Sequence, residues 1–228
     1  QDPQLGRGFP AAYNEAPFAF ANRPFSSPGQ GRNVLVIGNS FARDFINMGL
    51  ETGQLADVDL SYSLNHNCDP LSPLLLERIR QSQAVIIGSG VYAEEIPCVT
   101  RYIAQLEALH VPHIVVLGLK NFVYNNNAVM LLPEAQRYGY RAKPLAPIYR
   151  DNAEAGRAIP PRYYLDLFAI LDDGTGTVPV FTPDRKLISQ DRHHLTRAGA
   201  KFLGEKLFAQ PQFSWLRKLR NQSQDQPS

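Results

Sequence analysis

Val34-Leu-Val-Ile-Gly-Asn-Ser40 is the stretch whose reading decides the fold. An unbroken apolar run, mostly β-branched, reads as a strand buried on both faces, as parallel strands in α/β proteins are. Gly38 then permits a sharp turn, and Ser40 stands at the start of the helix expected over Phe41–Thr52. The same texture returns twice. Ala84–Ile87 runs into Gly88-Ser89-Gly90, and His113–Leu117 runs into Gly118. Helical patterns at Pro73–Gln83 and Ile96–Leu109 alternate with these strands, and Asp57–Tyr62 reads as a weaker strand. Strand and helix alternating at short spacing predict a three-layer α/β/α sandwich around a central, mainly parallel sheet.

The second half is less regular. A short helix is expected around Leu132–Tyr138, a helix beginning at Asn152–Arg157, and a last parallel strand within Tyr163–Leu171. Asp172–Gly176 reads as a turn, Val178–Phe181 with Lys186–Ser189 as a hairpin, and Thr196–Phe208 as the closing helix. Residues 1–31 are rich in Pro, Gly, Ala and Asn and have no period, which suggests a linker. Their aromatics, Phe9, Tyr13, Phe18, Phe20 and Phe25, suggest instead an arm that wraps the domain. The expected division is therefore an arm at 1–31, a domain at 32–210 and a C-terminal tail at 211–228, polar from Asn221.

The 228 residues, 44% of them hydrophobic, suffice for one core. A net charge of +2 with scattered Lys and Arg offers no basic stripe, so no nucleic-acid partner is expected. No apolar run reaches the roughly 18 residues that span a bilayer. A chain starting at Gln1 leaves room for a leader or membrane part upstream. Cys68 and Cys98 lack the spacing of a metal site; a disulfide and two free thiols both remain open.

The chemistry concentrates in two places. Ser40, at a strand end and a helix start, lies where parallel sheets bind ligands and where backbone N–H groups face anions. It reads as a nucleophile or as a plain helix cap. The second place is Asp191-Arg-His-His194-Leu-Thr-Arg-Ala-Gly199. A carboxylate three residues before His194 can hold Nδ1 and leave Nε2 toward a serine. His193 has an equal claim by composition; His194 is preferred because it precedes the buried anchor Leu195 and the cap Thr196. Metal binding by the two histidines would need to recruit Asp184 and Asp69, and no spacing demands it.

Gly38-Asn39-Ser40 and Asp191-x-x-His194-Leu-Thr-x-x-Gly199-Ala200 resemble the first and last blocks of the SGNH (GDSL-like) hydrolases. In detail the chain looks most like the SGNH domains fused behind the membrane acyltransferase-3 domain of bacterial polysaccharide O-acetyltransferases. Tyr164-Leu-Asp166 through Val180-Phe-Thr182 to Asp191 follows their layout, and the resemblance covers residues 32–210. It implies an SGNH/flavodoxin-like fold with Ser40 as nucleophile, His194 as base, Asp191 as orienting acid and the Ser40 N–H as an oxyanion donor. The chain departs from the pattern in having Asn39 for the usual Asp. The second block's oxyanion Gly has no match near Asp59–Asn67, and the third block's Asn is missing from Gly88-Ser89-Gly90. Asn39, Gly88, Ser89 and Asn121 are the candidates left for the oxyanion and substrate.

The resemblance implies transfer of an acetyl group to a bacterial surface glycan through a serine acyl-enzyme, at the periplasmic face of the inner membrane. No bound cofactor is expected; the acetyl donor, acetyl-CoA in one version, would reach the site through an N-terminal membrane acyltransferase domain. A secreted or periplasmic carbohydrate esterase and an inactive glycan-binding scaffold are the alternatives. The Asn-rich loop Asn121–Asn127, with Tyr124, Tyr138 and Tyr140, is a candidate sugar cleft, and Lys120 and Arg43 are candidate contacts for an anionic sugar.

Overall fold

The computed structural model describes residues 11–26, 31–123 and 126–224. A short helix, α1 (Ala11–Glu15), and a 3₁₀ turn open the described chain. There follow β1 (Asn33–Gly38), α2 (Ser40–Glu51), β2 (Asp59–Ser63), α3 (Pro73–Arg80), β3 (Ala84–Gly88), α4 (Ile96–Ala108) and β4 (His113–Leu117). The second half holds α5 (Glu134–Arg137), β5 (Arg141–Ala142), α6 (Ala146–Ala158), β6 (Tyr164–Leu165), α7 (Leu167–Leu171), β7 (Val178–Pro179), α8 (Arg197–Phe208) and α9 (Ser214–Gln224).

The main sheet runs in the order β2-β1-β3-β4-β6, all parallel. Side chains of a strand alternate between its two faces. Val34, Val36, Ala84, Ile86, Val115 and Leu117 therefore face α2, α7 and α8, while Leu35, Ile37, Val85, Ile87, Ile114 and Val116 face α3, α4 and α6. This is the three-layer sandwich expected from the sequence. The strand order reverses between β1 and β3, and in parallel sheets the carboxyl ends at such a switch point are where ligands bind. There Gly38 pairs in register with Gly88, and a side chain at Gly38 would collide with the Gly88 carbonyl.

The structure departs from the sequence reading in three places. The last strand is only β6, because the Asp166 carboxylate accepts the Ala169 N–H and starts α7 at once. The hairpin of Val178–Phe181 with Lys186–Ser189 forms only at its turn end, where Ile188 N–H donates to the Val180 carbonyl. Phe181 pairs with Leu187, while β7 pairs with β5 instead. Residues 211–224 are not a tail in the structure: they fold as a 3₁₀ turn and α9, and Phe213, Trp215 and Leu216 sit in the core.

Residues 11–26 lie along the edge of the sheet. Ala21 bridges to Tyr62, Asn22 N–H donates to the Tyr62 carbonyl, and Ser61 Oγ donates to the Arg23 carbonyl. Buried Arg78 reaches Asn22 Oδ1 from below. Residues 1–10 and 27–30 of the expected arm lie outside the described residues.

Cys68 and Cys98 are joined, tying the loop after β2 to the first turn of α4 across 30 residues of chain. Cross-linking a loop of this length stabilises by about 3–4 kcal/mol, chiefly by restricting the unfolded chain. Replacing both cysteines by alanine is expected to lower stability by that order in urea titration; a midpoint within error of native would show that the bond adds nothing.

Candidate active site

Ser40 is the first residue of α2, at the carboxyl edge of β1, and is partly exposed. Asn39 caps the helix: its Oδ1 accepts the Phe41 N–H, and its Nδ2 donates to the carbonyl of Ser89, just past the end of β3. The Ser40 N–H is one of the first-turn donors that a helix leaves unpaired.

The loop 189–195 faces it. Asp191 Oδ1 accepts the backbone N–H of both His193 and His194, which folds the loop around one carboxylate oxygen. The other oxygen, Oδ2, lies 2.7 Å from His194 Nδ1. With Nδ1 donating to the carboxylate, Nε2 of the neutral ring is left as an acceptor, the tautomer a general base needs. Burial opposes the charge on Asp191, but the bonds from the His194 ring and from the two backbone N–H groups outweigh it and hold the carboxyl at about 2.

Packing explains the rest of the motif. Leu195 is fully buried. Thr196 caps α8 by accepting the Gly199 N–H. A side chain at Gly199 would strike the Ile188 carbonyl, so only glycine lets α8 begin this close to the loop. His193, half-buried, is engaged elsewhere: its ring packs on Phe41, 5.7 Å between centroids, and its Nδ1 lies 3.3 Å from the Lys120 carbonyl.

Burial, and then the nearby Lys120 ammonium, depress the His193 pKa below the ordinary histidine range. The unfolded chain thus takes up this proton first as the pH falls, so stability is retained above about pH 6.5 and lost as the pH drops through the lower folded value. His113, stacked on Trp215, is depressed in the same direction by burial and Lys218. The urea midpoint is expected to fall between pH 7.5 and pH 5, and His193→Gln to reduce that fall. An unchanged slope in the variant would remove His193 from the account.

The sequence-expected residues thus gather at one edge of the sheet, but in different states. Among the described residues no hydrogen bond joins Ser40 Oγ to His194 Nε2. Ser89 is buried, with Oγ on the Asn65 carbonyl, and Gly88 packs against Ala42. Asn121 is buried too. Its Oδ1 accepts the N–H of Val123 and Leu145, while its Nδ2 has no partner among the described residues.

The Asn-rich loop is largely an interior tie. Asn126 is buried and donates to the Ser189 carbonyl, and Tyr138 packs edge-on against Phe181, while Tyr140 is exposed. Tyr124 and Asn125 lie outside the described residues. Lys120 is withdrawn from an anionic sugar in the structure, and Arg43, half-buried, is partly engaged. Lys120 is buried in an ion pair with Asp44, and Arg43 donates to Asn14 and Tyr62.

Two groups escaped the sequence reading, Asp44 and Asn14. Both are fully buried beneath Ser40, and only the spacing of Asp44, one helical turn after Ser40, hinted at it. A cavity of about 880 Å³ adjoins the loop at Gln190 and Thr196 and runs along α8 past Arg197, Lys201 and Phe202. Among the described residues no cluster of His, Cys, Asp and Glu could hold a metal, and no helix is long and apolar enough to cross a membrane.

No family model matches the chain, and no curated protein matches it. Solved structures do. One is the periplasmic domain of a lipopolysaccharide acetyltransferase from Salmonella ser. Paratyphi A, with a TM-score of 0.56 and 17% identity over 80% of this chain and 84% of that one. At that identity the likeness speaks for a shared fold.

Proposed function

We propose that this chain is an SGNH-type domain that moves an acetyl group onto a bacterial polysaccharide through a serine acyl-enzyme. The observation that carries the reading is the His194–Asp191 pair, 2.7 Å apart, built into a folded loop against the helix that starts at Ser40. The solved lipopolysaccharide acetyltransferase periplasmic domain, similar in fold, supports the choice of reaction.

In this mechanism His194 Nε2 takes the Ser40 proton as Oγ attacks the acetyl carbonyl, and the Ser40 N–H holds the oxyanion. His194 then returns the proton to the leaving group. In the second half a sugar hydroxyl gives its proton to His194 and attacks the acetyl-enzyme; Ser40 Oγ then leaves the acyl carbon and takes that proton back, restoring the free serine. Asn39 has both ends of its amide committed, whereas Asn121 Nδ2 has no partner among the described residues and is the better candidate for a second donor. The donor side is assigned to an N-terminal membrane acyltransferase domain and the setting to the periplasmic face of the inner membrane. The Cys68–Cys98 bond suits that oxidising compartment.

The test is to incubate the protein with an activated acetyl ester and digest it. The peptide holding Ser40 is expected to gain one acetyl group, and added polysaccharide to remove it and become acetylated. Loss of the label to water alone would make the protein an esterase. A folded protein that never labels at Ser40 would favour the inactive glycan-binding scaffold, the reading that the missing Ser40–His194 hydrogen bond supports.

A further inference from the structure

Beneath the candidate site lies a charged group that the mechanism does not use. Asp44 is 0% exposed and Lys120 1% exposed, and their charged atoms are 2.9 Å apart. Lys120 Nζ also lies 3.7 Å from the centre of the Phe41 ring. The Asp44 carboxylate collects three more contacts. Asn14 Nδ2 donates to Oδ1 at 2.7 Å, and the Leu195 N–H reaches both oxygens, at 3.4 and 3.3 Å. Asn14 Nδ2 also lies 3.1 Å from the Ser40 carbonyl.

These contacts join four separated pieces of chain: the arm, the helix that carries Ser40, the segment after β4, and the loop that carries His194. Leu195 is the next residue after His194, so its N–H fixes the backbone that aims the imidazole. Asp44 is one turn below Ser40 on the same helix, so whatever holds Leu195 to Asp44 sets the loop against the serine. A buried carboxylate needs a counter-charge and hydrogen bonds to be tolerated, and here Lys120 supplies the first while Asn14 and Leu195 supply the second.

We propose that Asp44 is a positioning residue for the reacting pair: its buried carboxylate, neutralised by Lys120 and steadied by Asn14, accepts the Leu195 N–H and thereby sets His194 relative to Ser40. This rests on Ser40 and His194 being the reacting residues. Asp44 touches no substrate; it acts through the loop.

Removing one charge would strand the other and cost much of the fold's stability, so the test compares two double variants. Asp44→Asn with Lys120→Gln removes both charges but keeps an acceptor for the Leu195 N–H. Asp44→Leu with Lys120→Met removes both charges and the acceptor. Steady-state hydrolysis of a small chromogenic acetate, thermal melting and amide hydrogen exchange of 189–196 are measured for each. The amide pair is expected to keep near-native kcat. The apolar pair is expected to melt cooperatively yet lose about 100-fold in kcat with little change in KM, the effect of a misplaced catalytic group. Its Leu195 amide is expected to exchange faster than in the amide pair.

A folded apolar pair with native kcat and native Leu195 exchange would overturn the proposal. So would an amide pair that folds but loses as much kcat as the apolar one. If the native protein never turns over the ester, the serine reading fails, and the exchange comparison still decides whether Asp44 holds the loop.

Discussion

Ser40→Ala is expected to reduce acetyl-ester turnover by about 10⁴-fold or more while leaving the melting temperature near native. The size follows from what remains. Without Oγ no acyl-enzyme forms, and only the oxyanion donors and the bound ester's proximity to water can assist. Residual catalysis from such features runs to about 10³–10⁴ over water, far short of a working serine site. The fold is spared because Ser40 Oγ has no hydrogen-bond partner among the described residues, and the cap of α2 belongs to Asn39. His194→Ala is expected to fall in the same range, and the double variant to be no worse than either single, since the two act as a unit. Turnover in Ser40→Ala within tenfold of native would remove the serine from the mechanism.

Asp191→Asn is expected to cost about 10³–10⁴-fold in kcat without loosening the loop, because the carboxylate's two oxygens do different work. Oδ1 holds the N–H groups of residues 193 and 194, and an asparagine oxygen can do the same. Oδ2 receives His194 Nδ1–H. An amide NH₂ there offers a donor instead, which favours the ring with its proton on Nε2, the wrong tautomer for taking the serine's. Asp191→Ala is expected to lose the same kcat and, in addition, protection of the 192–194 amides. The acid limb separates the variants too. The folded carboxyl at about 2 lies below its ordinary value, so its stabilisation is complete above about pH 4 and is lost as the pH falls toward 2. Asp191→Asn lacks that window, so its stability is expected to fall less over that range. Equal kcat in native and Asn variants would show that the histidine needs no orienting acid.

Much of the fold was legible because parallel strands bury both faces. Val34–Ile37, Ala84–Ile87 and His113–Leu117 announce themselves as apolar runs with glycine behind them, and β1, β3 and β4 lie there. Tyr164–Leu165 is too short for any period to register, and Asp166 turns the chain helical at once. The place of Ser40 at the start of α2 and the pairing of His194 with Asp191 were legible because the cap, the anchor and the close approach at Gly199 leave a short local signature. Asp44 and Lys120 were not. Each alone reads as a solvated charge, in the case of Lys120 as a candidate contact for an anionic sugar, and only folding brings them together. Asn14 was hidden by the irregular composition of its segment. The Cys68–Cys98 pairing was left open because spacing alone does not bring two thiols together.

The ion pair under Ser40 also constrains how this sequence can drift. A domain of this kind is held folded by about 5–15 kcal/mol, and stripping one partner from a buried pair costs about 3–5 kcal/mol. Losing either charge alone therefore consumes a large share of the margin, although an apolar pair in the same space could be as stable as the present one. Positions 44 and 120 are thus separated from that alternative by a valley that single changes cross with difficulty. Homologous chains are expected to carry the acid and the base together or to lack both, with mixed combinations rare.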